Sequence, residues 1–391
     1  MPKNIVLCCD GTANQFAVDR TNVIKLYYTL EQNPATQVAF YHPGLGTMEP
    51  AGALTPATKT LTKGLGMALG YGLSNDIRDA YIFLMNHFEE GDRVYLFGFS
   101  RGAYTARSVC SMLRMYGLMR RGNDPMVPYA VRMMMAIDQI ESREHKSPEE
   151  AKKALATYFK LAADFKHMMC GCECNPHFVG VWDTVNSVGW FTHPLKLPYV
   201  SDNSEIAIGR HAISIDERRA FFRSHLWMPS KGQPPHGPVD LVQVWFAGVH
   251  CDVGGGYPEE ESGLSKIAFD WMLQEAKAAG LRVEPDREDE VLGKTADSVY
   301  VKPNPDGCLH VSLEKAWKIA EWIPKPHYDF QTGKTSWQMN RSKPRTVAPT
   351  ALVHESVFVR ENGEYAKKLP AGVQRVATRG KSMAAGESAT Q

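Results

Sequence analysis

The sequence has no excess of either charge, no long apolar run and no repeated unit. Lysine and arginine total 44 against 43 aspartate and glutamate, a formal net charge of +1. Balanced charge gives no electrostatic basis for holding a polyanion, so nucleic acid is not an expected partner. No stretch approaches the roughly 18 apolar residues that a membrane-spanning helix needs. The apolar run Ile5 to Cys9 is too short for a secretory signal and meets Asp10 at once, so the chain is expected to fold in the cytoplasm. Cysteine is sparse, 8 in 391 residues. Cys8 and Cys9 are adjacent, and Cys170, Cys172 and Cys174 alternate, unlike the spaced framework of a small disulfide-rich protein. Hydrophobic residues reach 43% and charged residues 22%, which excludes wholesale disorder.

The apolar pattern alternates between strand and helix. Ile5 to Cys9 reads as a buried strand ended by Asp10-Gly11-Thr12, and Asn22 to Leu30 as a short helix. Gln37 to Tyr41 is a second strand. Ile77, Ala80, Tyr81, Leu84, Met85 and Phe88 share one helical face, closed by Gly91. Arg93 to Phe97 reads as a strand, and Ala103, Ala106, Cys110 and Leu113 follow at helical spacing. Sheet character returns at Phe178 to Trp182 and Leu241 to Phe246, before a helix carrying Leu264, Ile267, Ala268, Trp271 and Met272. This alternation predicts an α/β fold with a mostly parallel central sheet flanked by helices. A helical insertion, part of a lid or cap, is expected over about 118–170. There Ser147 and Glu150 fit a capping box and Pro148 the first helical position. One domain over 1–378 and a loose tail at 379–391 complete the expected organisation. Oligomeric state is not legible.

The most informative segment is Arg93-Val94-Tyr95-Leu96-Phe97-Gly98-Phe99-Ser100-Arg101-Gly102-Ala103-Tyr104. It sets G-x-S-x-G between a strand pattern and a helix pattern. A nucleophile at the tip of so tight a turn needs small residues two before and two after it, and Gly98 and Gly102 fill those places. The helix start favours developing negative charge, and the Arg101 amide becomes a candidate oxyanion donor. The alternative is a tight turn whose serine only caps the helix.

A nucleophilic serine needs a base, and the base an orienting carboxylate. Asp183 directly follows the strand Phe178 to Trp182, and His250 closes Val244-Trp245-Phe246-Ala247-Gly248-Val249, which gives the order Ser, Asp, His. All three then sit where strands end, at one edge of the sheet. Asp252 rivals Asp183 as the acid. His354, in His354-Glu355-Ser356-Val357, rivals His250 as the base, with His211 and His225 as weaker candidates.

Four segments, Cys9-Asp10-Gly11-Thr12, Gly98-Phe99-Ser100-Arg101-Gly102-Ala103, Val181-Trp182-Asp183-Thr184-Val185 and Gly248-Val249-His250-Cys251-Asp252-Val253-Gly254-Gly255-Gly256-Tyr257, occur in that order. Together they resemble the α/β-hydrolase family of formerly unknown function that also supplies the catalytic module of type VI secretion phospholipase effectors. The resemblance implies a serine esterase or lipase with Ser100 as nucleophile, Asp183 as acid and His250 as base. It also implies a second oxyanion donor from the loop after the first strand, for which Thr12 is the candidate. The expected substrate is a small ester or a lipid. A phospholipid would bring peripheral contact with a membrane surface, and a catalytically silent fold used for binding is the reading from another class. No metal or organic cofactor is expected.

Other signals are weaker. Asp10-Gly11-Thr12 after a first strand suggests a haloacid-dehalogenase phosphatase, but the nucleophilic aspartate's place holds Cys8, and Asp10 reads better as a turn-former ordering the oxyanion loop. Cys170, Cys172, Cys174 and His177 are too closely spaced for a zinc knuckle. Gly64-Leu65-Gly66 with Gly70 lacks the preceding strand of a nucleotide loop and reads as a mobile loop. Met112, Met115, Met119, Met133, Met134 and Met135 fit core packing better than an acyl-binding cleft.

Overall fold

The computed structural model describes residues 2–11, 19–44, 63–142, 147–185, 189–190, 193–194, 196–220, 222–227, 237–313, 318, 321–322, 325–329 and 334–380. Eight strands build the central sheet: β1 (Asn4–Cys9), β2 (Gln37–His42), β3 (Arg93–Phe99), β4 (Phe178–Trp182), β5 (Ile208–Ser214), β6 (Asp240–Phe246), β7 (Leu352–His354) and β8 (Gln374–Val376). Their order is β8-β7-β6-β5-β4-β3-β1-β2, and every neighbouring pair is parallel. Helices α1 (Asn22–Thr29), α2 (Lys63–His87), α3 (Arg101–Tyr116), α4 (Val127–Ser142), α5 (Pro148–Met169), α6 (His250–Gly254), α7 (Gly263–Ala278), α8 (Pro285–Val291) and α9 (Ser356–Val359) flank it. The fold is α/β, as the sequence pattern predicts.

Side-chain parity along the strands divides the interior in two. Ile5, Leu7, Cys9, Val94, Leu96, Val179 and Val181 join one core with α2 to α5. Their strand neighbours Val6, Cys8, Tyr95, Phe97, Phe99, Phe178 and Trp182 join the other, with α1 and α6 to α9. Successive strand side chains point to opposite faces, so strands apolar at every position must be covered on both sides. Gly180 permits the second layer to close in, because a Cβ there would lie 2.7 Å from the Met272 sulfur on α7.

The expected insertion contains α4 and α5. Ser147 accepts a hydrogen bond from the Glu150 amide at 3.2 Å, with Pro148 opening α5. Both helices pack against α3, and α4 also against α2. The short strands Leu118–Met119 and Cys170–Cys172 pair antiparallel and close the segment at its base. Met112, Met115, Met119, Met133 and Met134 are buried in that core, with Met135 packed against it, so the methionines serve packing. Of the expected tail, residues 381–391 lie outside the described residues.

Two readings of the sequence change. The glycine-rich stretch at Gly64 to Gly72 is the first part of α2, not a loop. Glycine's helix penalty is about 1 kcal/mol per residue, a weak preference that tertiary context overrides. Strand β5 went unrecognised because Arg210 and His211 interrupt its apolar pattern. The fold satisfies Arg210 with Glu275 at 2.6 Å and Asp240 at 2.8 Å.

The chain turns to one side of β1 for β2 and to the other for β3, so the sheet reverses direction between β1 and β3. Ligand sites in open parallel sheets form at the carboxyl ends of strands where such a reversal occurs. Phe97 holds the centre of this arrangement, fully buried and against the rings of Phe178 and Trp182 at 5.5 and 6.4 Å. Phe97→Ala should lower unfolding stability by about 3–5 kcal/mol, measured by denaturant titration; a loss below about 1 kcal/mol would contradict this packing.

Candidate active site

One residue separates β3 from α3. Ser100 takes φ 58 and ψ −120, a backbone conformation costly for a residue with a side chain. The surroundings hold it there. The Ser100 amide donates to the Trp182 carbonyl at 3.1 Å, fixing the turn to the end of β4. A Cβ on Gly98 would meet the Gly102 carbonyl oxygen at 2.5 Å, and one on Gly102 the Cys9 carbonyl oxygen at 2.2 Å. Only glycine fits either place. The Ser100 side chain makes no capping hydrogen bond to α3, which removes the helix-cap explanation for this serine. It is 8% exposed.

Asp183 stands where β4 ends, with φ 40, fully buried. Its Oδ1 accepts from the Ser214 amide at 3.0 Å, and its Oδ2 from the Ser214 hydroxyl at 3.1 Å and from Arg345 Nη2 at 3.1 Å. Arg345 Nη1 also donates to Oδ1. Burial alone would push this carboxyl up, yet Arg345 and His250 together hold it well below the usual carboxylate range.

His250 opens α6, and its Nδ1 lies 2.5 Å from Asp183 Oδ2. The ring packs against Phe99, its centroid 4.6 Å away and tilted by 32°, and against Phe222, centroid 4.8 Å away in a T-shaped arrangement. Phe99 immediately precedes Ser100, so the imidazole lies beside the turn. Gly254 leaves room for this stack, since a Cβ there would strike the Phe99 ring at 1.9 Å. The second ring nitrogen, Nε2, is buried with no hydrogen-bond partner among the described residues. Burial lowers the His250 pKa below its usual 6.5 despite the opposing pull of Asp183. The arrangement is an oriented, neutral imidazole with one uncommitted nitrogen.

A family model described as the catalytic domain of Tle1-like type VI secretion phospholipase effectors matches residues 3–275. The chain belongs to this family. It is also similar to an uncharacterized protein of Saccharomyces cerevisiae, YEL023C, with 36% identity over 235 residues, 58% of this chain and 33% of that protein. The chain therefore spans about a third of that relative's length. A solved structure, the Tle1 effector bound to the VgrG spike of the type 6 secretion system, aligns at 16% identity with a TM-score of 0.30, over 67% of this chain and 52% of that one.

In this Tle1-like chain the rival residues lie elsewhere. Asp252 accepts from the Val249 amide at 2.9 Å and pairs with His310 Nδ1 at 2.6 Å, so it caps α6 and holds the 310 segment instead of His250. His354, on β7, spends both ring nitrogens on hydroxyls, Ser356 at 2.8 Å and Thr378 at 3.0 Å, and stacks on Phe246. Burial brings its pKa down to about 3. His211 accepts from the Thr184 amide at 3.1 Å, and His225 is 2.6 Å from the Ser201 hydroxyl. Asp10 accepts from the Gly11 amide at 2.6 Å, the Thr21 hydroxyl at 2.6 Å and the Tyr41 hydroxyl at 2.8 Å, which ties the end of β1 to α1 and β2. Arg101 begins α3, so its amide belongs to the first helical turn beside Ser100. Thr12 lies outside the described residues.

Three contributors were not singled out from the sequence: Ser214, Arg345 and Glu217. Glu217 accepts from the His250 amide at 3.2 Å, from Arg219 Nη2 at 2.9 Å and from the Ser312 hydroxyl at 2.9 Å, anchoring the start of α6. Burial alone would raise this carboxyl, but Arg219 brings it down to about 2. Isolated polar residues in aperiodic segments give no local signal for such partnerships. Among the described residues no group of three or more His, Cys, Asp or Glu side chains is arranged to hold a metal ion, and no helix is long and apolar enough to cross a membrane. Gly102→Ala should cost at least about 1–3 kcal/mol through overpacking against the end of β1. Thermal unfolding of the variant checks this; a wild-type midpoint would mean the turn has room that the backbone does not show.

Proposed function

We propose that the chain is a serine ester hydrolase of the lipase type, working through Ser100, His250 and Asp183. The observation that carries this is the imidazole beside the strained turn, with Nδ1 on a buried carboxylate and Nε2 uncommitted. In the proposed reaction the Ser100 Oγ attacks the ester carbonyl carbon while His250 Nε2 takes its proton. The carbonyl π electrons move onto oxygen, which the Arg101 amide, and in our reading that of Thr12, would receive as hydrogen-bond donors. One such donor contributes about 3 kcal/mol. Collapse breaks the bond to the leaving alcohol, which receives the proton from His250. Water then repeats the sequence on the acyl-enzyme, releasing the acid and restoring Ser100. Asp183 holds the Nδ1–H tautomer throughout and stabilises the imidazolium as it forms.

The family's description as phospholipase effectors favours a phospholipid as the ester. That reading expects turnover to climb sharply when the lipid passes from monomer to vesicle, and a flat response would favour a soluble ester. A silent fold used only for binding is distinguished by a fluorophosphonate probe, which labels Ser100 only if the serine is nucleophilic.

Ser100→Ala should abolish hydrolysis of p-nitrophenyl esters and probe labelling while leaving the circular dichroism unchanged; continued turnover would refute the assignment. Asp183→Asn should lower kcat by about 10⁴-fold, the scale set by losing the correct tautomer in such triads. The pH dependence follows from the base. His250 works only when neutral, so kcat/KM is full above its pKa and falls as pH drops through it. Because burial sets that pKa below 6.5, the rate should hold down to pH 6.5 and decline only in more acidic solution. An acid limb centred above 6.5 would exclude His250 in this environment as the base.

A further inference from the structure

Arg345 lies in Ser342-Lys343-Pro344-Arg345, beyond the 3–275 segment that the family model matches. It is 8% exposed, and every contact of its guanidinium is directed at the acid or at what surrounds it. Nη1 and Nη2 reach both oxygens of Asp183, Nη1 also donates to the Ser214 hydroxyl at 2.7 Å, and Nε donates to the Phe222 carbonyl at 3.2 Å. Phe222 is also a residue whose ring packs against His250. Counting Ser214 N–H and O–H and His250 Nδ1, Asp183 receives five donors, more than the roughly four lone-pair directions of a carboxylate. The acid therefore has no freedom to rotate and no room for a proton.

We propose that Arg345 is a positioning residue of the hydrolase, a clamp from the C-terminal part of the chain that orients Asp183 and tempers its negative charge toward His250. This rests on the Ser100 reading. A bare buried carboxylate at 2.5 Å would draw a proton onto the imidazole; a guanidinium that bonds both its oxygens, including the one His250 shares, offsets that pull and leaves the base neutral. The other charged groups about the imidazole are Glu217 and Arg219, from the segment after β5, which form an ion pair with each other at 2.9 Å. His211, on β5 beside Val181, is kept neutral by burial, with its pKa lowered to about 3. Cys251, next to His250 on α6, is likewise neutral, its thiol pushed up to about 12 by burial. Arg223 places a further positive charge close to Arg345. Of these, Arg345 alone holds Asp183 directly.

The test uses the full chain with Arg345→Gln, which keeps a planar donor but removes the charge, and Arg345→Lys, which keeps the charge but loses the two-pronged geometry. The rate of fluorophosphonate labelling of Ser100 is followed against pH, together with the His250 ring titration by NMR. Arg345→Gln should label about 10- to 100-fold more slowly, with its acid limb and the His250 titration moved up by about one pH unit. Arg345→Lys should label more slowly with the limb unmoved. A wild-type rate and limb in Arg345→Gln overturn the clamp. If that variant does not fold, a wild-type labelling rate in Arg345→Lys overturns it and a slowed rate with an unmoved limb supports it. Absence of labelling in the wild type defeats the hydrolase reading instead, and the His250 titration then decides whether Arg345 tempers Asp183.

Discussion

A carboxylate shut away from water must be kept an anion by its neighbours, or it takes up a proton. Asp183 meets this condition with an arginine, a serine that donates twice and a histidine. Much of the surrounding architecture follows from that requirement. Ser214 arrives because β5 pairs with β4 in register, and His250 because α6 turns back from the end of β6 over β5. Arg345 arrives from far along the chain. The imidazole also packs against the rings of Phe99 and Phe222, so its orientation is fixed by packing as well as by charge.

Two neighbouring strands each end in a residue at positive φ, Ser100 after β3 and Asp183 after β4. They are joined through the Ser100 amide and the Trp182 carbonyl. Neither conformation is favourable alone, at about 1–3 kcal/mol each. The two apolar cores on either side of the sheet hold both strand ends in place. Glycines at positions 98, 102, 180 and 254 let backbone, ring and helix approach closely enough for this to happen.

The parts of this site visible in the sequence are those governed by local chemistry. Gly98 and Gly102 around Ser100 mark a turn because sterics act within a few residues, and the parity of β1, β3 and β4 marks a doubly covered sheet. Asp183 and His250 stood out because each follows an apolar strand, although that pattern alone left Asp252 and His354 in contention. Three-dimensional pairing separates them: Asp252 goes to His310, and His354 to Ser356 and Thr378. Strand β5 stayed hidden because its arginine and histidine are satisfied by residues distant in sequence. Arg345 stayed hidden for the same reason, since its partner lies 162 positions earlier. The helix over Gly64 to Gly72 went unread because propensity favours a loop there.

That separation of 162 residues between acid and guanidinium also has a meaning for synthesis. A ribosome adding about 5–20 residues per second delivers Arg345 about 8 to 32 seconds after Asp183. Throughout that interval the emerging polypeptide carries its serine turn and its aspartate without the cation that completes them. The donor set of Asp183 is therefore complete only once the later part of the chain has left the ribosomal tunnel and brought its guanidinium to the carboxylate.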